Sequence, residues 1–203
     1  MAWEADFLLY IQDYIRSDLL NPVMTLLTHT GDHGILMIAL AVCLLIIPRT
    51  RKIGFIAGIS LAFEAILTNL LIKNIVARAR PYEEIRGLVN LIEKQEDYSF
   101  PSGHTGAAFA VMGVILIIAL IGLPVAEKRG DVSRLKMSVI YKIFAFLAIL
   151  YATLLAFSRM YVGVHYPTDV IGGIILGIAT SIISYSLFWL ILKFQSQKQT
   201  DQK

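Results

Sequence analysis

Apolar residues run along this chain in long stretches separated by short polar breaks. Five stretches stand out, Gly31 to Ile47, Ile53 to Ile72, Gly106 to Leu123, Val139 to Phe157 and Val170 to Leu192, each of 17 to 23 residues. As a helix each is long enough to cross roughly 30 Å of hydrocarbon. Ahead of them Trp3, Phe7, Tyr10, Ile11, Tyr14 and Ile15 recur at helical spacing, with Glu4, Asp6, Asp13, Arg16 and Asp18 between or after them. That pattern predicts an amphipathic helix suited to lying in the membrane interface.

The fold class expected is therefore all-α, a polytopic transmembrane helix bundle of five clear spans with an N-terminal amphipathic helix. One domain covers 1–203, with the amphipathic helix at 1–19, the bundle at 31–192 and a tail at 193–203. Composition agrees, since 57% hydrophobic against 16% charged residues cannot cover a water-soluble domain of 203 residues. Mean hydropathy is +0.68. A cleavable signal is not expected, because Met1 to Asp6 is acidic where a signal would be basic. The lone Cys43 can form no intramolecular disulfide and reads as packing. A net charge of +3 without a basic stripe on a soluble face gives no nucleic-acid partner.

Lys and Arg place the loops. Arg49, Arg51 and Lys52, then Lys128, Arg129, Arg134 and Lys136, then Lys193, Lys198 and Lys203 fall on one side, expected to be cytoplasmic. The segments from Lys73 to Ser102 and from Ser158 to Thr168 fall on the other.

That second side carries the chemistry. Lys73 and Arg80 share a face about 10 Å apart if the second span continues as a helix, whereas Arg78 falls off it and reads as a solvent or headgroup contact. Pro81 should end that helix. Ser102 is an N-cap candidate ahead of the third span, Gly103 lets a ligand approach the backbone, and the helix N-terminus offers an anion site with His104 beside it. His165 and Asp169 stand at i and i+4, a spacing at which a carboxylate orients one imidazole nitrogen and frees the other to attack. His29, Asp32 and His33 have the look of metal ligands, but no third histidine is nearby and no metal is expected. Glu64, by helical phase opposite Lys73, reads as a hydrogen-bonded packing contact, while Asn69 shares the face of Lys73. Gly173 and Gly177 suit close packing or dimerisation. Residues 82–98 read as a solvated loop.

In Lys73 with Arg80-Pro81, Pro101-Ser102-Gly103-His104, and Ser158-Arg159 with His165 and Asp169, the sequence resembles the type 2 phosphatidic acid phosphatases, related to bacterial acid phosphatases and vanadium haloperoxidases. The resemblance runs from about Ile53 to the end of the fifth span. It implies six membrane helices, with residues 2–19 in the place of the first, and a metal-independent lipid phosphatase without a cofactor. Carried over residue by residue, it makes His165 the nucleophile, Asp169 its orienter and His104 the general acid. Lys73, Arg80, Ser102, Gly103 and Arg159 then hold the phosphate. The implied partner is a membrane lipid phosphate in the bilayer of a bacterial cell membrane, met on the extracytoplasmic face. Phosphatidylglycerophosphate is the first expectation and undecaprenyl pyrophosphate the second. The rivals are a lipid phosphotransferase and a non-enzymatic lipid transporter with a phosphate-binding vestibule.

Overall fold

The computed structural model describes residues 2–127 and 131–201, and of residues 199–201 only the backbone. Lys128, Arg129 and Lys203 of the cationic side lie outside the described residues. The N-terminal helix α1 (Ala2–Tyr10) continues as a π-helical turn, Ile11–Ile15. Next come α2 (Leu20–His29), a 3-10 turn at Asp32–Gly34, and α3 (Ile35–Ile46). Helix α4 (Arg51–Ala65) runs through a π-helical stretch, Ile66–Ile72, into α5 (Lys73–Val76), and α6 (Pro81–Glu84) is a single turn. The chain then forms α7 (Gly103–Ile121), a hairpin of β1 (Leu123–Ala126) and β2 (Val132–Leu135), α8 (Val139–Tyr161) and α9 (Pro167–Asp201).

Four helical stretches are long and apolar enough to cross a bilayer, and a bent pair, Leu20–His29 with Asp32–Ile46, makes up to five. The first expected span thus begins earlier than its hydropathy suggests. Helix α3 alone has 12 residues, about 18 Å, too short for the hydrocarbon; α2 supplies the rest across a 45° bend. The bend sits where His33 (φ 54°) and Gly34 (φ 66°) take left-handed backbone.

Helix α7 is the axis of the bundle. Its Gly106, Ala107, Ala108, Ala110 and Gly113 are small, so α4, α8 and α9 pack closely round it. On α9, a Cβ at Gly173 or Gly177 would stand 2.6 Å from the carbonyl oxygens of Ser102 and Gly106. This pair therefore serves packing within the bundle. Outward, α8 exposes Ile140, Ile143, Phe144 and Phe146 and α9 exposes Ile171, Ile175 and Ile182, as a hydrocarbon solvent permits. Cys43 lies on this exposed surface rather than in the packing.

Three elements depart from the expected layout. The segment expected as a tail from 193 is helical through Asp201, and Ser196 reaches back to the carbonyls of Glu127 and Asp131 beside the hairpin. The hairpin itself was not foreseen. The N-terminal helix is also turned over: Trp3, Tyr10 and Tyr14 are exposed, while Glu4, Leu8 and Ile11 are buried. Leu8 packs on Leu88 and Tyr166, and Ile11 on Tyr161, Val162 and Val164. Helix α1 thus braces the segment that carries His165.

Candidate active site

Five helix ends meet on one side of the bundle: the start of α7, the start of α9, the ends of α5 and α8, and the α2–α3 bend. With Arg80, which lies just ahead of α6, they hold the residues singled out from the motifs.

The Lys73–Arg80 pair is built differently from the expected continuous helix. Helix α5 stops at Val76, where Ala77 adopts φ 47°, and the chain leaves the helix to reach Arg80 in extended backbone. Pro81 starts the next turn instead of ending a helix, at the first helical position where its missing N–H costs nothing. The two cations still converge, and on an unforeseen partner: Asp97 binds Lys73 Nζ through Oδ2 and accepts from Arg80 Nη2 at 2.5 Å through Oδ1. Arg80 also donates to the carbonyls of Asp97 and Val164, each at 2.9 Å. Burial raises the Asp97 carboxyl, but Lys73 and Arg80 outweigh it and hold the group down at about 2. Residues 92–97 therefore border the site, while Glu93, Lys94, Glu96 and Asp97 stay exposed as expected of a solvated loop.

His165 lies just ahead of α9, fully enclosed. Its Nε2 is 3.3 Å from Arg80 Nη1 and its Nδ1 is 3.6 Å from Asp169 Oδ2. The second distance is too long for the hydrogen bond expected from i, i+4 spacing. Asp169 is occupied elsewhere, accepting from Ser99 Oγ at 2.5 Å, the Tyr166 amide at 2.9 Å and Arg78 Nη1 at 2.6 Å. Burial, then Arg80, Arg159, Lys73 and His104, hold the His165 imidazole well below its ordinary pKa, which favours the neutral form. A neutral imidazole keeps the lone pair that a nucleophile needs.

Arg78 is the residue the spacing misjudged. It bridges inward, from Asp169 and Thr168 (2.7 Å) to the buried Glu4 (2.8 Å), and lies 3.8 Å over the Tyr166 ring. Only the break at Ala77 turns it that way, and no sequence spacing signals such a break.

Arg159 is 0% exposed and gives Nη1 to Thr28 at 2.5 Å. Its Nε and Nη2, like His165 Nδ1, find no hydrogen-bond partner among the described residues. Ser102 stands at the N-cap of α7 without capping by its side chain; its Oγ is 3.0 Å from Thr105 Oγ1, and its amide donates to the Asp169 carbonyl at 3.0 Å. A Cβ on Gly103 would lie 3.8 Å from Lys73 Nζ. His104 donates or accepts at Nε2 with Asp32 Oδ1, 2.9 Å away.

A cavity of about 650 Å³ opens from this cluster. Lys73, Asp97, Gly103 and His104 line its upper part, and Ile38, Leu61 and Ala65 its foot. From Lys73 to Leu61 the wall spans roughly 18 Å of helix. Glu64 and Asn69 are on that wall too. Seven π-helical residues lag an α-helix by roughly a quarter turn, which swings Glu64 from the side opposite Lys73 toward it. Its Oε1 accepts from Thr68 at 2.7 Å, and it presses so closely on α7 that a Cβ at Gly106 would be 2.0 Å from that oxygen. The packing reading of Glu64 holds for these contacts, but it belongs to the cavity as well. No group of three His, Cys, Asp or Glu placed to hold a metal occurs among the described residues; Asp32 pairs with His29 and His104, and His33 is exposed at the bend.

Residues 53–193 match the PAP2 superfamily, more than half of the chain. The chain belongs to the PAP2 superfamily. It is an integral membrane protein of this lipid phosphatase family. An undecaprenyl-diphosphatase of Sulfolobus acidocaldarius is 34% identical over 175 residues, covering 86% of this chain and 74% of that relative. Phosphatidylglycerophosphatase B of Bacillus subtilis is 30% identical over 185 residues, covering 90% of this chain and 79% of the relative. Among solved structures, a transmembrane PAP2 type phosphatidylglycerolphosphate phosphatase from Bacillus subtilis superposes with a TM-score of 0.70 at 25% identity, over 92% of this chain and 84% of that one. LpxE of Aquifex aeolicus gives a TM-score of 0.66 at 25% identity, over 88% and 92%.

Proposed function

We propose that this PAP2 protein hydrolyses a phosphate ester or diphosphate on a membrane lipid through a phosphohistidine at His165, without a metal, on the extracytoplasmic face. The observation that carries this is the buried guanidinium of Arg159, whose Nη1 is held by Thr28 while Nε and Nη2 find no hydrogen-bond partner among the described residues. Two donors held dry without a partner cost on the order of 1–3 kcal/mol each, and a phosphate oxygen beside Arg80 and His165 would satisfy them. Lys73, Arg80 and Arg159 supply the positive charge that phosphoryl transfer needs on its non-bridging oxygens. The Gly103 amide at the start of α7 adds a donor, and the Ser102 hydroxyl another.

His165 Nε2, on the Arg80 side, attacks phosphorus in line while Asp169 stabilises the charge that develops at Nδ1–H. His104 protonates the leaving oxygen and then takes a proton from the water that splits the phosphohistidine. The apolar foot of the cavity favours a substrate whose tail stays among the helices. Phosphatidylglycerophosphate is the first substrate, on the superposition with the Bacillus subtilis phosphatase; undecaprenyl pyrophosphate is the second, on the identity to the Sulfolobus relative.

The test is phosphate release by the purified protein in detergent from phosphatidylglycerophosphate, undecaprenyl pyrophosphate and phosphatidic acid. His165→Ala is expected to abolish release from whichever lipid is turned over while the unfolding temperature stays near that of the wild type. Chelator should leave turnover unchanged and vanadate should inhibit. Release that survives His165→Ala overturns the nucleophile, and loss in chelator overturns the metal-free reading.

A further inference from the structure

The α2–α3 bend precedes the residues matched to the superfamily, which begin at 53, yet it delivers a carboxylate into the cavity. Left-handed backbone at His33 and Gly34 turns the chain so that Asp32 faces α7. Asp32 Oδ1 is 2.9 Å from His104 Nε2, and Oδ2 is 2.7 Å from His29 Nδ1. The approach depends on Gly31, where a Cβ would stand 2.6 Å from His104 Cδ2. Along this chain of groups the side chains go from 16% exposed at His104 through 37% at Asp32 to 51% at His29, so Asp32 is the step between a dry imidazole and a wet one.

An ionised carboxylate can only accept. Each imidazole nitrogen that faces Asp32 therefore carries a hydrogen, and neutral His104 is held with its proton on Nε2. Nδ1 is left as the nitrogen with a free lone pair. The other charges acting on His104 are the cations Arg159, on α8, and Lys73, on α5. Asp32 is the anion that opposes them.

We infer that Asp32 is a positioning residue for His104, fixing its tautomer so that Nδ1 performs the proton transfers, with His29 holding the second carboxylate oxygen. The inference rests on the reading of His104 as general acid and base. In the first half-reaction the bond from His165 Nε2 to phosphorus forms as the bond to the leaving oxygen breaks. The electron pair goes to that oxygen, which takes the proton that Nδ1 of His104 has first gained from solvent, and His104 is left neutral with its hydrogen on Nε2. In the second, water oxygen bonds to phosphorus, the nitrogen–phosphorus bond breaks, and a water proton returns to Nδ1. Asp32 accepts no proton in either step; it keeps Nε2–H in place throughout.

Two measurements on the full chain in detergent test this. A general acid matters for a poor leaving group and little for a good one. Asp32→Asn is therefore expected to slow phosphatidylglycerophosphate turnover about 10- to 100-fold while the burst of nitrophenolate from p-nitrophenyl phosphate keeps its rate within about threefold. Nitrogen-15 NMR of labelled histidine, with His104→Gln assigning the signal, should show the Nε2–H tautomer in the wild type and a mixture in Asp32→Asn. Equal slowing of both substrates by Asp32→Asn, or a wild-type proton on Nδ1, overturns the inference. If His104→Gln itself slows the nitrophenolate burst as much as lipid turnover, the reading of His104 as general acid falls instead. The wild-type spectrum needs no variant to fold.

Discussion

Replacing Arg78 by Met separates the N-terminal helix from the Asp169 carboxylate. The guanidinium is the cation between Glu4 and Asp169, both 0% exposed, and is itself 23% exposed. Removing one partner of a buried ion pair costs about 3–5 kcal/mol, because a charge stays behind unpaired. The partial exposure of Arg78 puts the expected loss near the lower figure, about 3 kcal/mol. At 2–4 °C per kcal/mol for a chain of this size, unfolding in detergent should come about 6–12 °C earlier, read by tryptophan fluorescence from Trp3 and Trp189. Asp169 would keep Ser99 and the Tyr166 amide but lose the partner of Oδ1, so phosphate release should fall about tenfold or more. Arg78→Lys should be intermediate, since an ammonium lacks the planar fork that reaches Thr168, Asp169 and Glu4 together. Combining Glu4→Gln with Arg78→Met should cost less than the sum of the two single losses, a coupling measured by the double-mutant cycle. Unfolding within about 2 °C of wild type together with full activity would refute the claim that Arg78 holds these carboxylates.

Asp97→Asn removes the anion that occupies Lys73 and Arg80, so inorganic phosphate should inhibit several-fold more tightly, as measured by competition. Because Asp97 titrates at about 2 in the folded protein and near 3.9 when unfolded, its contribution to stability is complete above about pH 4 and disappears as pH falls through 2. The gap in unfolding temperature between wild type and Asp97→Asn should thus be flat from pH 8 to about 4 and close below; a gap that changes between pH 5 and 8 contradicts this. Gly177→Ala sets a methyl 2.6 Å from the Gly106 carbonyl and 2.7 Å from Phe109 Cβ, forcing α9 off α7 at about 1–3 kcal/mol and lowering activity through Asp169. Gly113→Ala meets only the Ser181 side chain, at 2.8 Å, which can rotate aside, so its denaturation midpoint should move less.

The membrane helices were legible because hydrocarbon selects on composition and length alone, and a run such as Val170 to Leu192 satisfies it whatever its neighbours are. The motif residues were legible because they sit at helix ends, where short spacings survive folding: Ser102-Gly103-His104 opens α7, and His165 and Asp169 flank the start of α9. What spacing could not reveal depends on departures from a uniform α-helix. The π-helical stretch at Ile66–Ile72 moves Glu64 into the cavity, left-handed Ala77 separates Lys73 from Arg80 and turns Arg78 inward, and the His33–Gly34 bend brings Asp32 to His104. The reversed face of α1 has the same origin, since the buried Glu4 is met by Arg78 and Thr168, more than 70 residues on. Hydropathy and periodicity record how each residue relates to solvent and to its near neighbours. Which distant charge will meet a buried carboxylate is decided when the helices pack, because only then is water removed from both.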